Sequence, residues 1–193
     1  MKKISIIVLL LFVSLSTSGC VNKFAIQELN KKAQEYMNNG KTEDAIARLE
    51  SSIDLDNSIF ETYYNLAVAY MKADKADKAG EALKKVFELN PDFADSYYTM
   101  AVIFEDKAYA IINGQNNDQK ETLDNEGKNI SEKKNLTDEE KAEICSDFDS
   151  AIDYYNKYLV KKEKASDKEQ VNAKINNLNL ELQKYSKTVP SEN

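Results

Sequence analysis

The feature that most constrains the fold is a set of apolar and small residues that recurs with a fixed period of 34 residues. The fullest copy lies in the middle of the chain and comprises Tyr63, Leu66, Ala67, Tyr70, Ala79, Leu83, Val86 and Pro91. A constant period of roughly 20–50 residues is typical of solenoids, whose units bury their apolar faces only by stacking on neighbours. A generic helical bundle is the alternative, but a bundle needs no constant period. An all-α solenoid is therefore predicted.

The spacing of these residues resembles the tetratricopeptide repeat (TPR), a pair of antiparallel helices with a characteristic series of aromatic, small and apolar positions. Tyr63 takes the place of the usual Trp, Tyr70 that of the Tyr, and Pro91 closes the second helix. Ala67 and Ala79 are small, which lets the two helices approach closely. The resemblance implies a right-handed α-solenoid of three TPR-like hairpins.

The third copy of the pattern is interrupted by an insertion. The step from Phe104 to the next packing alanine, Ala151, is 47 residues, whereas the equivalent step in the first two copies is 9. The apolar stripe continues past the usual helix end and is matched on the returning side, which predicts an unusually long hairpin: Phe104, Ala108, Ile111 and Ile112 face Ile144, Phe148, Ile152 and Tyr155. Between them, Asn113–Leu136 is polar and predicts a flexible tip, with an ordered binding element as the alternative. Thr137 and Glu140 form a capping-box pattern that predicts the start of the returning helix.

A final helix follows, opened by a second capping-box pattern at Ser166 and Glu169. It is predicted to cap the last repeat, and a coiled-coil dimer through this helix is the alternative to a monomer. The predicted segments are a signal peptide at 1–19, a lipidated cysteine with a tether at 20–23, a TPR-like domain at 24–187 and a flexible tail at 188–193. Within the domain the repeats are about 26–59, 60–93 and 94–112 with 138–163, the insertion is 113–137, and the capping helix is 166–187.

The first twenty residues have the pattern of a bacterial lipoprotein signal. Lys2 and Lys3 precede an apolar run, Ile4–Leu15, which is too short to span a bilayer but suits a signal peptide. The small residues before Cys20 resemble a relaxed lipobox, which implies a lipid on the Cys20 thiol and cleavage before it. Secretion with ordinary cleavage near residue 19 is the alternative. The predicted location is the cell envelope, on a membrane outside the cytoplasm.

The composition argues against catalysis. The chain has no histidine, so Ser-His-Asp and Cys-His mechanisms and imidazole-based zinc sites are excluded. Cys145 would be the only thiol besides Cys20, with no histidine to activate it. Asp124–Gly127 looks like part of a calcium loop, but Thr122 and Lys133 would then occupy ligand positions. No enzyme activity, cofactor or metal is predicted.

The charge of the chain bears on its partners. The full sequence carries −7, and the mature chain would carry −9 because Lys2 and Lys3 would be removed. An acidic chain is a poor ligand for nucleic acid. The resemblance implies a concave groove lined by the first helix of each hairpin. Its carried-over positions are Gln27, Asn30, Gln34, Met37, Asn38, Glu61, Tyr64, Val68, Met71, Lys72, Asp95, Tyr98, Val102, Glu105 and Asp106.

Nine of these positions form the predicted peptide site: Met37, Glu61, Tyr64, Val68, Met71, Asp95, Tyr98, Val102 and Glu105. Asp95 stands where TPRs that bind a C-terminal carboxylate have a basic residue, so the predicted partner has apolar anchors and basic flanks. The alternative is that Tyr64 and Tyr98 only pack on neighbouring helices. The predicted function is a membrane-anchored, non-catalytic scaffold. An envelope-assembly factor is the runner-up, and an enzyme or small-molecule receptor that uses the insertion is a further alternative.

Overall fold

The computed structural model describes residues 23–117, 120–123, 129–132, 136–164 and 166–186. These residues form seven helices: α1 (23–38), α2 (Thr42–Leu55), α3 (Phe60–Lys72), α4 (Ala76–Leu89), α5 (Ala94–Asn117), α6 (Asp138–Lys161) and α7 (Lys168–Ser186). Two short strands, β1 (Lys120–Leu123) and β2 (Asn129–Glu132), lie between α5 and α6. The chain divides into two compact units, the first ending at Pro91 and the second beginning at Asp92. The predicted all-α, TPR-like class is confirmed.

The first unit contains two helical hairpins, α1–α2 and α3–α4, and its core follows the 34-residue period. Small residues at equivalent positions have no exposed surface: Ala33, Ala45, Ala67 and Ala79. Leu49 and Leu83, also 34 residues apart, are likewise fully buried. The absence of a longer side chain at the alanines allows close helix packing, and the leucines fill the space beside each contact.

The turns within the two hairpins have the same geometry. Gly40 (φ 71°) and Asp74 (φ 55°) both have left-handed backbone conformations shortly before the next helix begins. After Gly40, the Lys41 amide donates to the Tyr36 carbonyl at 2.9 Å. After Asp74, the Lys75 amide donates to the Tyr70 carbonyl at 2.9 Å. These are Schellman motifs, which end a helix by satisfying its last carbonyls.

The second unit contains the long hairpin α5–α6 and the last helix, α7. Its core combines residues from all three helices: Ala101, Ala108, Ile144, Phe148, Ala151, Tyr155, Tyr158, Val171, Ile175 and Leu178. The sequence predicts that the first helix of the third hairpin ends at residue 112. This end is wrong, because α5 continues to Asn117, into the predicted insertion. The extra turns carry their own apolar contacts, since the Tyr109 and Phe148 rings lie edge to face at 5.4 Å.

The two strands lie within the segment for which a flexible tip is predicted. They pair antiparallel, with Thr122 opposite Ile130 and Lys120 opposite Glu132. Thr and Ile are β-branched and favour extended backbone. The polar composition of the whole segment, from which the flexible tip is predicted, does not show this local preference. Eight backbone positions of the segment therefore form a ladder. Much of the remainder lies outside the described residues.

The beginnings of the last two helices test the two capping predictions. At α6 the prediction is confirmed, because the Glu140 amide donates to the Thr137 hydroxyl at 3.1 Å and the Thr137 amide donates to the Glu140 carboxylate at 2.8 Å. At α7 it is wrong by one residue. The Asp167 carbonyl accepts the first helical bond from the Val171 amide, so Asp167 and not Ser166 occupies the cap position.

None of the described helices is both long enough and apolar enough to cross a bilayer. The signal-peptide pattern and Cys20 lie outside the described residues, as does the tail after residue 186.

Candidate functional site

An open pocket of about 480 Å³ lies on the first unit, between the N-terminal parts of α1 and α3. Its lining consists of Lys23, Ile26, Gln27, Asn30, Ile59, Glu61, Thr62 and Asn65. Three of these residues, Gln27, Asn30 and Glu61, occupy positions that the sequence assigns to the groove. Part of the predicted groove of the first two hairpins, these three positions, therefore lines one pocket.

A network of polar side chains joins α1, α2 and α3 beside this pocket. The Asn30 side-chain amide lies 3.0 Å from the Ser52 hydroxyl and 3.2 Å from the Thr62 hydroxyl, to which it donates. Its nitrogen also lies 3.0 Å from the Ile26 carbonyl, so its two N–H groups are shared among three acceptors, and its own oxygen accepts from the Asn65 amide at 3.4 Å. Ser52 and Thr62 are fully buried. Because buried polar groups are costly without partners, this network fixes the relative position of the three helices.

The network also changes the role of one predicted groove residue. Asn30 uses its amide within the protein, so it shapes one wall of the pocket more than it offers hydrogen bonds to a ligand. Sequence reasoning missed Thr62 and Asn65. The sequence does show Thr62 and Asn65 as polar residues next to the apolar positions of α3. Their role is visible only in the packed helices, where both contact Asn30.

The other groove positions of the first unit differ in exposure. Glu61 is exposed at the mouth of the pocket, and Tyr64, Val68 and Met71 are half-buried along α3. Met37 has only 6 % of its surface exposed and belongs to the core. Its side chain therefore offers little surface to a ligand, whereas the α3 residues retain some accessible surface.

The groove positions of the second unit make contacts within that unit. The Tyr98 ring lies edge to face with Tyr155 and with Tyr158, each at 5.3 Å. Val102 packs against the same core. The Glu105 carboxylate accepts from the Tyr155 hydroxyl at 2.6 Å and lies 3.0 Å from the Lys174 ammonium. The contacts of Tyr98 agree with the packing alternative.

Asp95 is also paired within the second unit. Its carboxylate lies 2.8 Å from the Lys162 ammonium, at the end of α6. The hydrogen bond to Asp95 is the main cause of a raised pKa at Lys162, so this lysine stays charged at neutral pH. The pair is exposed on both sides, so its net contribution to stability is small.

Buried phenols in both units act as hydrogen-bond donors. Burial, and then the bond to Glu50, raise the pKa of Tyr70 to about 12. Burial, and then the bond to Glu105, raise the pKa of Tyr155 above its usual range. Both hydroxyls therefore keep their protons at neutral pH. Their role is to fix helices in place, since a tightly held proton is poorly suited to acid–base chemistry.

The groups that could support catalysis or metal binding are few. Burial, and then the Asp149 charge, raise the pKa of the half-buried Cys145 thiol, which keeps it in the unreactive protonated form. Within residues 23–117, 120–123, 129–132, 136–164 and 166–186, no group of three His, Cys, Asp or Glu side chains is arranged to hold a metal ion.

Family models for TPR repeats match two overlapping parts of the chain. A TPR repeat model matches residues 33–74, and a tetratricopeptide repeat model matches residues 60–93. The second match coincides with the repeat predicted from the 34-residue period. A comparison with curated proteins found no match.

Solved structures with a similar fold are TPR domains. The first TPR of Spaghetti (RPAP3) bound to the HSP90 peptide SRMEEVD has a TM-score of 0.57 and 14% identity, covering 82% of this chain and 93% of that one. The TPR2B domain of yeast Sti1, in a complex with pHsp70, has 0.58 and 13%, covering 82% and 98%. The Sgt2 TPR domain of Aspergillus fumigatus has 0.58 and 12%, covering 87% of each chain. The chain carries tetratricopeptide repeats in an all-α fold like that of these TPR domains.

Proposed function

We propose that this protein is a non-catalytic interaction scaffold that binds a peptide or protein segment along α1 and α3, the first helices of the two hairpins in its first unit. The observation that carries this proposal is the pocket of about 480 Å³ between α1 and α3. It lies where the repeat pattern places the groove, and Gln27 and Glu61 from that pattern line it. A similar TPR structure bound to an HSP90 peptide supports peptide binding by a fold of this kind.

The lining of the pocket favours a particular kind of segment. Ile59, which is half-buried, offers apolar surface for a side-chain anchor. The amides of Gln27 and Asn65 can form hydrogen bonds with an extended peptide backbone, because each amide contains both donors and an acceptor. Glu61 is exposed at the mouth, where it attracts basic residues that flank the anchor. The proposed ligand therefore has an apolar anchor with a basic neighbour.

A photo-crosslinking experiment tests the location of this site. A photoreactive amino acid is placed at Gln27 or at Glu61, and a matched control is placed at Asp54, which is exposed on α2 of the first hairpin. We expect both pocket positions to form the same covalent adduct in native membranes and the control to form none of it. The same adduct at all three positions, or none at either pocket position, would contradict the proposed site.

We also propose that a lipid on Cys20 attaches the protein to a membrane of the bacterial envelope. The sequence supports this through the two lysines, the short apolar run and the small residues that precede Cys20. Two or more acyl chains would hold the protein stably, whereas one chain would hold it weakly.

The two cysteines provide a matched test of anchoring. Labelled palmitate should be incorporated into the native protein and into the Cys145→Ala variant, but not into Cys20→Ala. Cys20→Ala should also keep its signal peptide or be processed aberrantly. Equal incorporation into both variants would refute the lipoprotein assignment while leaving the peptide site untouched.

A further inference from the structure

The first unit has a second pocket, of about 360 Å³, between α3 and α4. Tyr63, Leu66 and Tyr70 contribute from α3, and Lys78, Glu81, Ala82 and Lys85 contribute from α4. The ammonium of Lys78, an exposed residue, lies 5.7 Å from the centroid of the Tyr70 ring. None of these residues occupies a groove position. The Tyr70 hydroxyl donates to the Glu50 carboxylate at 2.9 Å, which holds the ring at this pocket in a fixed orientation.

The third hairpin has an equivalent location, which the repeat pattern identifies. The 34-residue period relates α3 to α5, so Tyr70 corresponds to Phe104. Residues of α4 and α6 correspond when the 38 inserted residues are added to the 34-residue period. By this rule Ala79 corresponds to Ala151, and both alanines are fully buried. In this alignment Ala82 corresponds to Tyr154 and Lys85 corresponds to Lys157.

The third hairpin fills this location with its own aromatic ring. Tyr154 stacks on Phe104 with ring centroids 5.7 Å apart and planes 13° apart, and it lies 6.4 Å from the Tyr97 ring. The Lys157 ammonium lies 4.8 Å from the centroid of Tyr154. The complete arrangement is therefore one aromatic ring from the first helix, a second ring stacked on it and a lysine at the second ring.

The second hairpin has the first ring and the lysine but lacks the second ring, because Ala82 replaces the tyrosine. We infer that this pocket receives the ring of a tyrosine or phenylalanine presented by a partner protein, which takes the place that Tyr154 takes in the third hairpin. The guest ring lies against Tyr70, where it displaces the exposed Lys78 ammonium. Lys85, which is paired with Glu88 as Lys157 is with Asp153, supplies the cation for the other side of the guest ring. This site is separate from the proposed groove and would give the scaffold a second contact with a partner.

Methyl NMR with N-acetyl-tyrosinamide as the probe tests the pocket directly, with N-acetyl-alaninamide as the control. We expect saturable shifts of the Leu66 and Ala82 methyl signals with the tyrosine probe only. Lys85→Gln should weaken binding about threefold through loss of the cation–ring interaction. Lys84→Gln should have no effect, because this exposed lysine does not line the pocket.

Blocking variants separate this pocket from other aromatic binding sites. Ala82→Tyr should supply the missing ring from within the chain, abolish the shift of Leu66 and raise the melting temperature by about a few degrees. Ala82→Met serves as a second block if the tyrosine variant does not fold. Absent or non-saturable shifts, or binding that survives both blocks, would overturn the inference. Phe24 on α1 is 71% exposed and could present its ring to a second copy. Self-association that is lost in both Ala82→Tyr and Phe24→Ala would overturn the assigned occupant in favour of a second copy.

Discussion

The second and third hairpins follow the same repeat pattern but differ in length and in how they are joined. Helices α3 and α4 have 13 and 14 residues, and a tight turn closed by Asp74 connects them. Helices α5 and α6 have 24 residues each, with the strand pair between them. Equivalent positions near the shared end are buried in both hairpins, including Ala67 with Ala101 and Ala79 with Ala151.

The difference lies in the additional turns. In the longer hairpin, Ala108 and Ile144 are fully buried beyond the point where a standard repeat would turn. Extending two helices into solvent would give little stability, because a helix gains most of its stability from packing an apolar face. The insertion therefore includes core-forming flanks, and only its middle part connects them. This comparison teaches that an interruption of a repeat can enlarge the core.

The largest expected effect is at the extended end of the third hairpin. Ile144→Ala should lower the free energy of unfolding by about 2–5 kcal/mol, because it shortens a fully buried side chain and leaves a cavity. Val160→Ala on the same helix should change it by less than about 0.5 kcal/mol, since Val160 is 74% exposed. Urea unfolding measures both. A loss near that of the control for Ile144→Ala would show that the extension is not part of the core.

A smaller effect is expected where the two hairpins are equivalent. Ala67→Leu and Ala101→Leu should each cost about 1–3 kcal/mol, because neither position has space for a larger side chain. The free energy of unfolding of the two variants provides the comparison. If only one substitution were costly, the helices would pack at different distances in the two hairpins, and the shared pattern would not imply shared geometry.

The smallest effects are expected at the turns with left-handed backbone. Gly40→Ala should destabilise the protein by about 1 kcal/mol, because alanine strongly disfavours a positive φ. Asp74→Gly should stabilise it by a few tenths of a kcal/mol up to about 1 kcal/mol, because glycine adopts this conformation without strain. Thermal melting with both variants checks the opposite signs. A change of the same sign in both would contradict the equivalence of the two turns.

The repeat pattern predicted the packing well because it depends on residue size at fixed positions. Ala33, Ala67 and Ala101 are all fully buried, as a constant period requires. The sequence predicts an end of α5 at residue 112, too early, because the residues from Asn113 onward are mostly polar. In the structure Asn113 and Gly114 are both helical, and a side chain at Gly114 would meet no neighbouring element within 4 Å of its Cβ, so no crowding prevents the helix from continuing.

For the candidate site, the repeat pattern predicts which positions are equivalent between hairpins but not which side chains each residue contacts. Tyr64 and Tyr98 occupy equivalent positions. Tyr98, however, meets two tyrosines, Tyr155 and Tyr158, where the second hairpin has Leu83 and Val86. The bonds of Asn30 to two buried hydroxyls likewise depend on three helices being in place. Such contacts cannot be read from the spacing of one helix.

The most direct test of the proposed scaffold is the affinity of its peptide partner, measured by calorimetric titration. The segment crosslinked at Gln27 is synthesised and titrated into the native protein and into Ile59→Ala, Glu61→Lys and the control Asp54→Lys, all checked for folding by circular dichroism. We expect Ile59→Ala to weaken binding by about tenfold or more, because it removes apolar surface that the proposed anchor contacts in the pocket. We expect Glu61→Lys to weaken it most at low salt, and Asp54→Lys to leave it unchanged. Equal affinity for all four folded proteins would contradict binding in the groove.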